Sequence, residues 1–242
     1  MRPLLIVKTG AAPPEIVARR GDFEDWIAAR LAPGSIRIET VDVEAGGALP
    51  EITTLSGVVV TGSSAMVSER APWSEAAAAW LAAAARAGTP VLGICYGHQL
   101  LAHGLGGEVG RNPRGREIGT ATVDVAAPDD ALFAGSPARL RVQETHRESV
   151  LRLPPGALLL AGNRADPHQA FRVGERAWGV QFHPEFDADV MRGYLTARRA
   201  ELIAEGLDAD ALLAACVDAP DGARLLARFA ELLRDRESRL ET

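Results

Sequence analysis

The sequence predicts a three-layer α/β fold: a mainly parallel sheet with helices on both faces, an antiparallel β extension and a helical C-terminal tail. Three observations lead there. Short β-branched or leucine-rich runs alternate with amphipathic stretches through the first hundred residues, the pattern of βαβ units. After Leu105 the texture changes to strand-like runs joined by Pro/Gly turns, with little helix between them. From Asp187 onward the helical period returns.

Taken in order, "LLIVKTG" (4–10) reads as a strand and "PPEIVARRGDFEDWIAARL" as helical. "IRIETVDV" (36–43) and "GVVVTG" (57–62) are the next strands. "WSEAAAAWLAAAARAG" is a helix, with Pro72 near its start and Gly88 at its end. "VLGI" (91–94) is a strand that runs into a further helix beginning near "GHQLL". The runs "EIGTATVDVAA", "ARLRVQETH", "ALLLAGN", "QAFRVG" and "AWGVQF" form the expected antiparallel extension of the same sheet. "DADVMRGYLTARRAELIAEG", "ADALLAACV" and "DGARLLARFAELLRDRES" complete the chain as helices. Residues 1–200 are expected to form one α/β domain, with 201–242 a helical extension packed on it.

The 242 residues allow one large domain with a real core. Apolar residues at 47% and charged residues at 24% are those of an ordinary globular chain. A net charge of −6 excludes a general nucleic-acid or membrane-surface binder, which needs a basic face. Lys8 is the only lysine. Cys95 and Cys216 are too few for a disulfide framework, and no cluster has metal-ligand spacing. No metal and no cofactor is therefore expected. No apolar run approaches the ~18 residues that span a bilayer, and "MRPLLIVKTG" is too short for a secretory signal. A cytoplasmic setting is expected.

"GICYG" (93–97) is the cysteine counterpart of a G-x-S-x-G nucleophile elbow, lying between a predicted strand and a predicted helix. The glycines allow a turn too tight for side chains, and the nucleophile is pushed into a strained backbone conformation. Cys95 then projects at the carboxyl end of the sheet and at a helix N-terminus, which favours a thiolate. The backbone N–H of Tyr96 points to where an oxyanion would develop. A thiolate nucleophile needs a histidine partner. His98 and His103 lie on the elbow helix, beyond the nucleophile, and His168 lies in a turn-rich segment expected to be exposed. His183 is placed differently, because Pro184 stops its strand and leaves the imidazole at the tip. If that strand runs parallel to the one ending at Ile94, both tips open on one edge. Glu185, two residues on, points to the same side and is suited to fix the tautomer of His183.

"GICYGHQLLAHGLGG" followed far downstream by "GVQFHPE" resembles the class I glutamine amidotransferase family, whose domains are Cys–His–Glu glutaminases with a flavodoxin-like fold. The resemblance covers roughly residues 40 to 190 and implies Cys95 as nucleophile, His183 as general base and acid, and Glu185 as its orienter. It also implies Gly62, in "VVVTGSSAM", as a second oxyanion donor beside Tyr96, and Gln99 as lining the glutamine pocket. "ETHRESV", with His146, lies where members hold the substrate's α-amino and carboxylate groups. The turn after Gly62 lacks the family's glycine–proline character, and Arg147 stands where a glycine is usual.

The implied reaction is hydrolysis of the γ-amide of L-glutamine to glutamate and ammonia through a cysteinyl γ-glutamyl thioester. No P-loop accompanies it, so the ammonia is expected to pass to a separate synthetase subunit. The alternative is a free-standing γ-glutamyl peptidase. A DJ-1/PfpI-like protein is not expected to end a strand in "QFHPE", and a non-catalytic subunit is not expected to keep both Cys95 and His183.

Overall fold

Nine strands form the main sheet of the computed structural model, which describes residues 2–31 and 36–240. Its parallel half is built from β1 (Leu4–Lys8), β2 (Ile38–Asp42), β3 (Gly57–Val60), β4 (Val91–Ile94) and β11 (Ala177–Val180). The other half is antiparallel: β6 (Glu117–Val125), β7 (Arg139–His146), β9 (Leu158–Gly162) and β10 (Ala170–Val173). The order is β2-β1-β3-β4-β11-β10-β9-β6-β7. β11 therefore joins the two halves, parallel to β4 on one side and antiparallel to β10 on the other. The antiparallel extension of one continuous sheet agrees with the sequence reading. A separate hairpin-like pair, β5 (Glu108–Arg111) with β8 (Glu148–Arg152), was not anticipated. Its strands are short, and neither carries the alternating apolar pattern that marks a strand in isolation.

The helices are α1 (Pro14–Arg20), α2 (Phe23–Arg30), α3 (Pro72–Arg86), α4 (Tyr96–Gly104), α5 (Ala188–Ala197), α6 (Arg199–Ala204), α7 (Ala209–Ala215) and α8 (Pro220–Leu240). Two stretches expected as continuous helices are each broken. Gly21, at φ 77°, ends α1, and the Asp22 side chain caps α2 in a reciprocal box with Asp25. Arg198 interrupts the second stretch between α5 and α6.

Strand alternation sorts the core into two layers. Leu4, Ile6, Val59, Leu92 and Trp178 face α2 and α8, whereas Leu5, Val7, Val58 and Val60 face α3 and α4. α8 is part of this core: Leu225, Phe229 and Leu233 are buried with the strands of the parallel half, and the Phe229 ring meets Trp178 edge-on at 6.1 Å. Near the other end of α8, Glu237 accepts a hydrogen bond from the Arg2 guanidinium at 2.7 Å. The last two residues of the 201–242 segment lie outside the described residues. No helix among the described residues is long and apolar enough to cross a membrane.

Because Phe229 is fully buried against the main sheet, Phe229→Ala is expected to cost about 3–5 kcal/mol. Urea denaturation checks this: an unchanged midpoint would show that α8 is dispensable to the core.

Candidate active site

β4 delivers Cys95 to the carboxyl edge of the sheet. The residue adopts φ 52°, ψ −100° at the N-cap of α4, a conformation that a side chain normally avoids. Three backbone bonds hold it there. Cys95 N–H donates to the Val180 carbonyl at 2.9 Å, Gln99 N–H to the Cys95 carbonyl at 3.1 Å, and Gly97 N–H to the Thr61 carbonyl at 3.2 Å. The flanking glycines have no room for a side chain. A Cβ on Gly97 would lie 2.6 Å from the Val60 carbonyl oxygen, and one on Gly93 would overlap the Gly97 carbonyl.

The pairing of Val180 with Ile94 sets the chain beyond β11 beside this elbow. His183 N–H is anchored to the Gln143 carbonyl at 2.8 Å, and the Cys95 sulfur lies 3.9 Å from the Thr145 carbonyl on the same strand. The His183 Nδ1 and a Glu185 oxygen are 2.8 Å apart, and both side chains are buried. Burial alone would lower the His183 pKa, but the charges of Glu185 and Cys95 outweigh it and raise the value to about 10. The imidazole is clamped as well as charged. It stacks on Phe186 at 4.2 Å and on Phe23 at 5.9 Å, and a Cβ on Gly62 would reach its Cε1 at 2.8 Å. Lys8 supports this wall: its ammonium donates to Asp22, at 2.8 Å, and to Glu24, at 2.6 Å. Asp22 in turn caps the helix that begins with Phe23.

A hollow of about 50 Å³ opens in front of Cys95, bordered by Tyr96, Gln99, His146 and Glu148. Gln99 lies in its wall, but its side-chain N–H₂ donates to the Glu148 carbonyl at 2.8 Å and to Gln181 Oε1 at 2.9 Å. His146 also borders the hollow, with both ring nitrogens engaged internally: Nδ1 with the Glu148 carbonyl at 2.9 Å, Nε2 with Glu117 at 3.3 Å. The Tyr96 hydroxyl is paired with Ser74 at 2.6 Å, and burial pushes its pKa up to about 12. A smaller chamber of about 20 Å³ adjoins His183, walled by Phe23, Ser63, Ser64 and Tyr194 among others.

Of the remaining histidines, His98 projects from α4 against Phe171 at 4.9 Å, and burial lowers its pKa to about 4. His168 is half-buried rather than exposed, its Nδ1 2.6 Å from the Val150 carbonyl. Sequence reasoning gave three arginines no place in the site. Arg116, Arg147 and Arg198 border the hollow and are gathered by Glu201 of α6, which lies 2.9 Å from Arg116 and 3.5 Å from Arg198. Only Arg147 carried a signal in the sequence, as a departure from glycine. Ser68, in the turn beyond Gly62, is tied through its N–H and hydroxyl to the Glu148 carboxylate.

Residues 21–200 match the family model for glutamine amidotransferase class-I. A GMP synthase (glutamine-hydrolyzing) of Aeropyrum pernix is 39% identical over 166 residues, an alignment that covers 68% of this chain and 31% of that protein. A GMP synthase (glutamine-hydrolyzing) subunit of Thermococcus kodakarensis is 40% identical over 111 residues, covering 43% of this chain and 58% of the relative. A glutamine amidotransferase of Thermotoga maritima has a TM-score of 0.75 at 26% identity, over 98% of each chain. Another, from Methylobacillus flagellatus, has a TM-score of 0.72 at 25% identity, covering 99% of this chain and 95% of the other. The chain spans about a third or less of the length of the full GMP synthases it matches.

Two outcomes follow from this geometry. A thiol-directed diazo-ketone analogue of glutamine should label Cys95 and spare Cys216, which is buried against the Ala188 carbonyl at 3.5 Å and whose pKa burial raises. Peptide mapping that found label on Cys216 alone would contradict it. The raised pKa of His183 also stabilises the fold, fully below pH 6.5 and decreasingly as pH rises through about 10. The difference in Tm between the natural protein and His183→Asn should therefore shrink across that window; a difference that grows with pH would be inconsistent with it.

Proposed function

The chain belongs to the class I glutamine amidotransferase family, and on that premise we propose that it hydrolyses the γ-amide of L-glutamine to glutamate and ammonia through a thioester on Cys95. The observation that carries this reading is the Cys95 elbow beside an imidazole whose Nδ1 is fixed by Glu185 at 2.8 Å.

The Cys95 thiolate attacks the γ-carbonyl carbon, a C–S bond forms, and the carbonyl electron pair moves onto oxygen. That oxyanion is received by the backbone amides of Gly62 and Tyr96; the second opens α4, where a helix leaves its N–H groups free. His183 Nε2 passes its proton to the amide nitrogen as the C–N bond breaks, and ammonia departs. The now neutral Nε2 takes a proton from water, whose hydroxide attacks the thioester and returns the thiolate. Glu185 holds the ring and balances its charge in both steps. Gln99 and His146 are positioning residues in this scheme: both bond the Glu148 carbonyl and so fix the segment that would meet the substrate's α-groups.

The chamber beside His183, at about 20 Å³, has room for a molecule the size of water or ammonia. Relatives named as single subunits of GMP synthase support an acceptor site on a separate synthetase subunit. Residues 1–200 are read as the glutaminase unit, with 201–242 as its helical extension, and the two free, buried thiols fit a reducing cytoplasm.

Turnover of glutamine and of γ-glutamyl dipeptides tests the reading. Cys95→Ala should abolish release of glutamate, and His183→Ala should lower kcat by at least about 10³-fold. Glu185→Gln should retain more activity than either. Faster cleavage of dipeptides than of glutamine by the isolated chain would assign it instead as a γ-glutamyl peptidase.

A further inference from the structure

Behind the pocket wall a second set of side chains converges. Glu144 and His146 are two residues apart on β7 and share a face of the sheet; Glu117 stands directly opposite His146 across the β6–β7 ladder. The position opposite Glu144 is Gly119, at φ 104°, so no side chain competes for the space. One donor atom from each of Glu117, Glu144 and His146 lies within 4.8 Å of the other two. His146 Nε2 is 3.3 Å from a Glu117 oxygen and 3.4 Å from a Glu144 oxygen. Charge-assisted hydrogen bonds are shorter, about 2.7–2.9 Å. Ligand atoms around one tetrahedral ion with bonds of ~2.0–2.1 Å are separated by roughly 3.4 Å.

The surroundings are those of a metal site. His146 Nδ1 and the Glu148 carbonyl are 2.9 Å apart, so Nδ1–H is the natural donor and Nε2 is left to face the carboxylates. Glu117 is oriented by Asn163, which donates to one oxygen at 2.7 Å, and by Gln169, which donates to the other at 2.9 Å. Neither oxygen of Glu144 accepts a well-formed hydrogen bond, its nearest polar neighbour being His146 Nε2 at 3.4 Å, and Oε1 of Gln169 is buried without a partner. A buried carboxylate so poorly supplied with donors is costly, and a cation offsets that cost.

We propose that Glu117, Glu144 and His146 bind a divalent transition-metal ion of the zinc class. One imidazole and two carboxylates, with no thiolate, suit such an ion. A water completes its coordination. The ion takes the place of the proton on His146 Nε2, which is released to solvent. It braces the strand that carries Thr145 past Cys95 and leads into Arg147 and Glu148. The sequence showed no metal-ligand spacing because the three ligands meet only through strand pairing, 27 residues separating Glu117 from Glu144. This inference does not rest on the glutaminase reading.

The test uses full-length Cys95→Ser protein, so that the active-site thiol cannot hold the metal. After chelator treatment, incubation with ZnCl₂ and gel filtration, elemental analysis should find about one zinc per chain, with a raised Tm. Co²⁺ in the same protein should give visible d–d bands without a thiolate charge-transfer band. Adding Glu144→Gln or Glu117→Gln should lower zinc affinity at least about tenfold; two variants guard against one failing to fold. Absence of retained zinc in Cys95→Ser protein, or equal retention in a folded variant, would overturn the proposal.

Discussion

The geometry of the site depends on one close approach. α4 must begin almost on top of β3, near enough for Gly97 N–H to reach the Thr61 carbonyl at 3.2 Å. No side chain fits at Gly93 or Gly97 under that condition, and the residue between them is driven to a positive φ. The strain at Cys95 is thus a consequence of packing: the sheet and helix are so close that the chain has no other way to turn. The same turn puts the sulfur at the helix N-terminus.

The second constraint is that β11 is shared by two kinds of sheet. Its parallel pairing with β4 aligns the strand tips, and its antiparallel pairing with β10 ties the insert to the same edge. His183 therefore receives supports from both halves: the Gln143 carbonyl of β7 from one side, Phe23 of α2 from the other. The chain's single lysine serves the latter, since Lys8 holds the carboxylate that caps the helix carrying Phe23.

Much of this was legible in the sequence, and the parts that were not share a cause. The elbow, the histidine and its glutamate are local patterns, each defined within five residues, and the structure brings them together, although the strand stops at Val180 rather than at Pro184. Gln99 and His146 were identified by resemblance alone, and it took the three-dimensional contacts to show their polar atoms turned to internal partners. The arginines gathered by Glu201 and the β5–β8 pair depend on contacts between distant segments, which leave no periodic trace. The broken helix at Gly21 was readable in principle: a glycine followed by aspartate is both a stop and a cap.

The Arg2–Glu237 pair and the burial of Phe229 beneath Trp178 have a consequence for how the fold closes. One face of the parallel half is covered in part by α8, which begins about 40 residues beyond the last strand, so that face closes only when this distant segment docks.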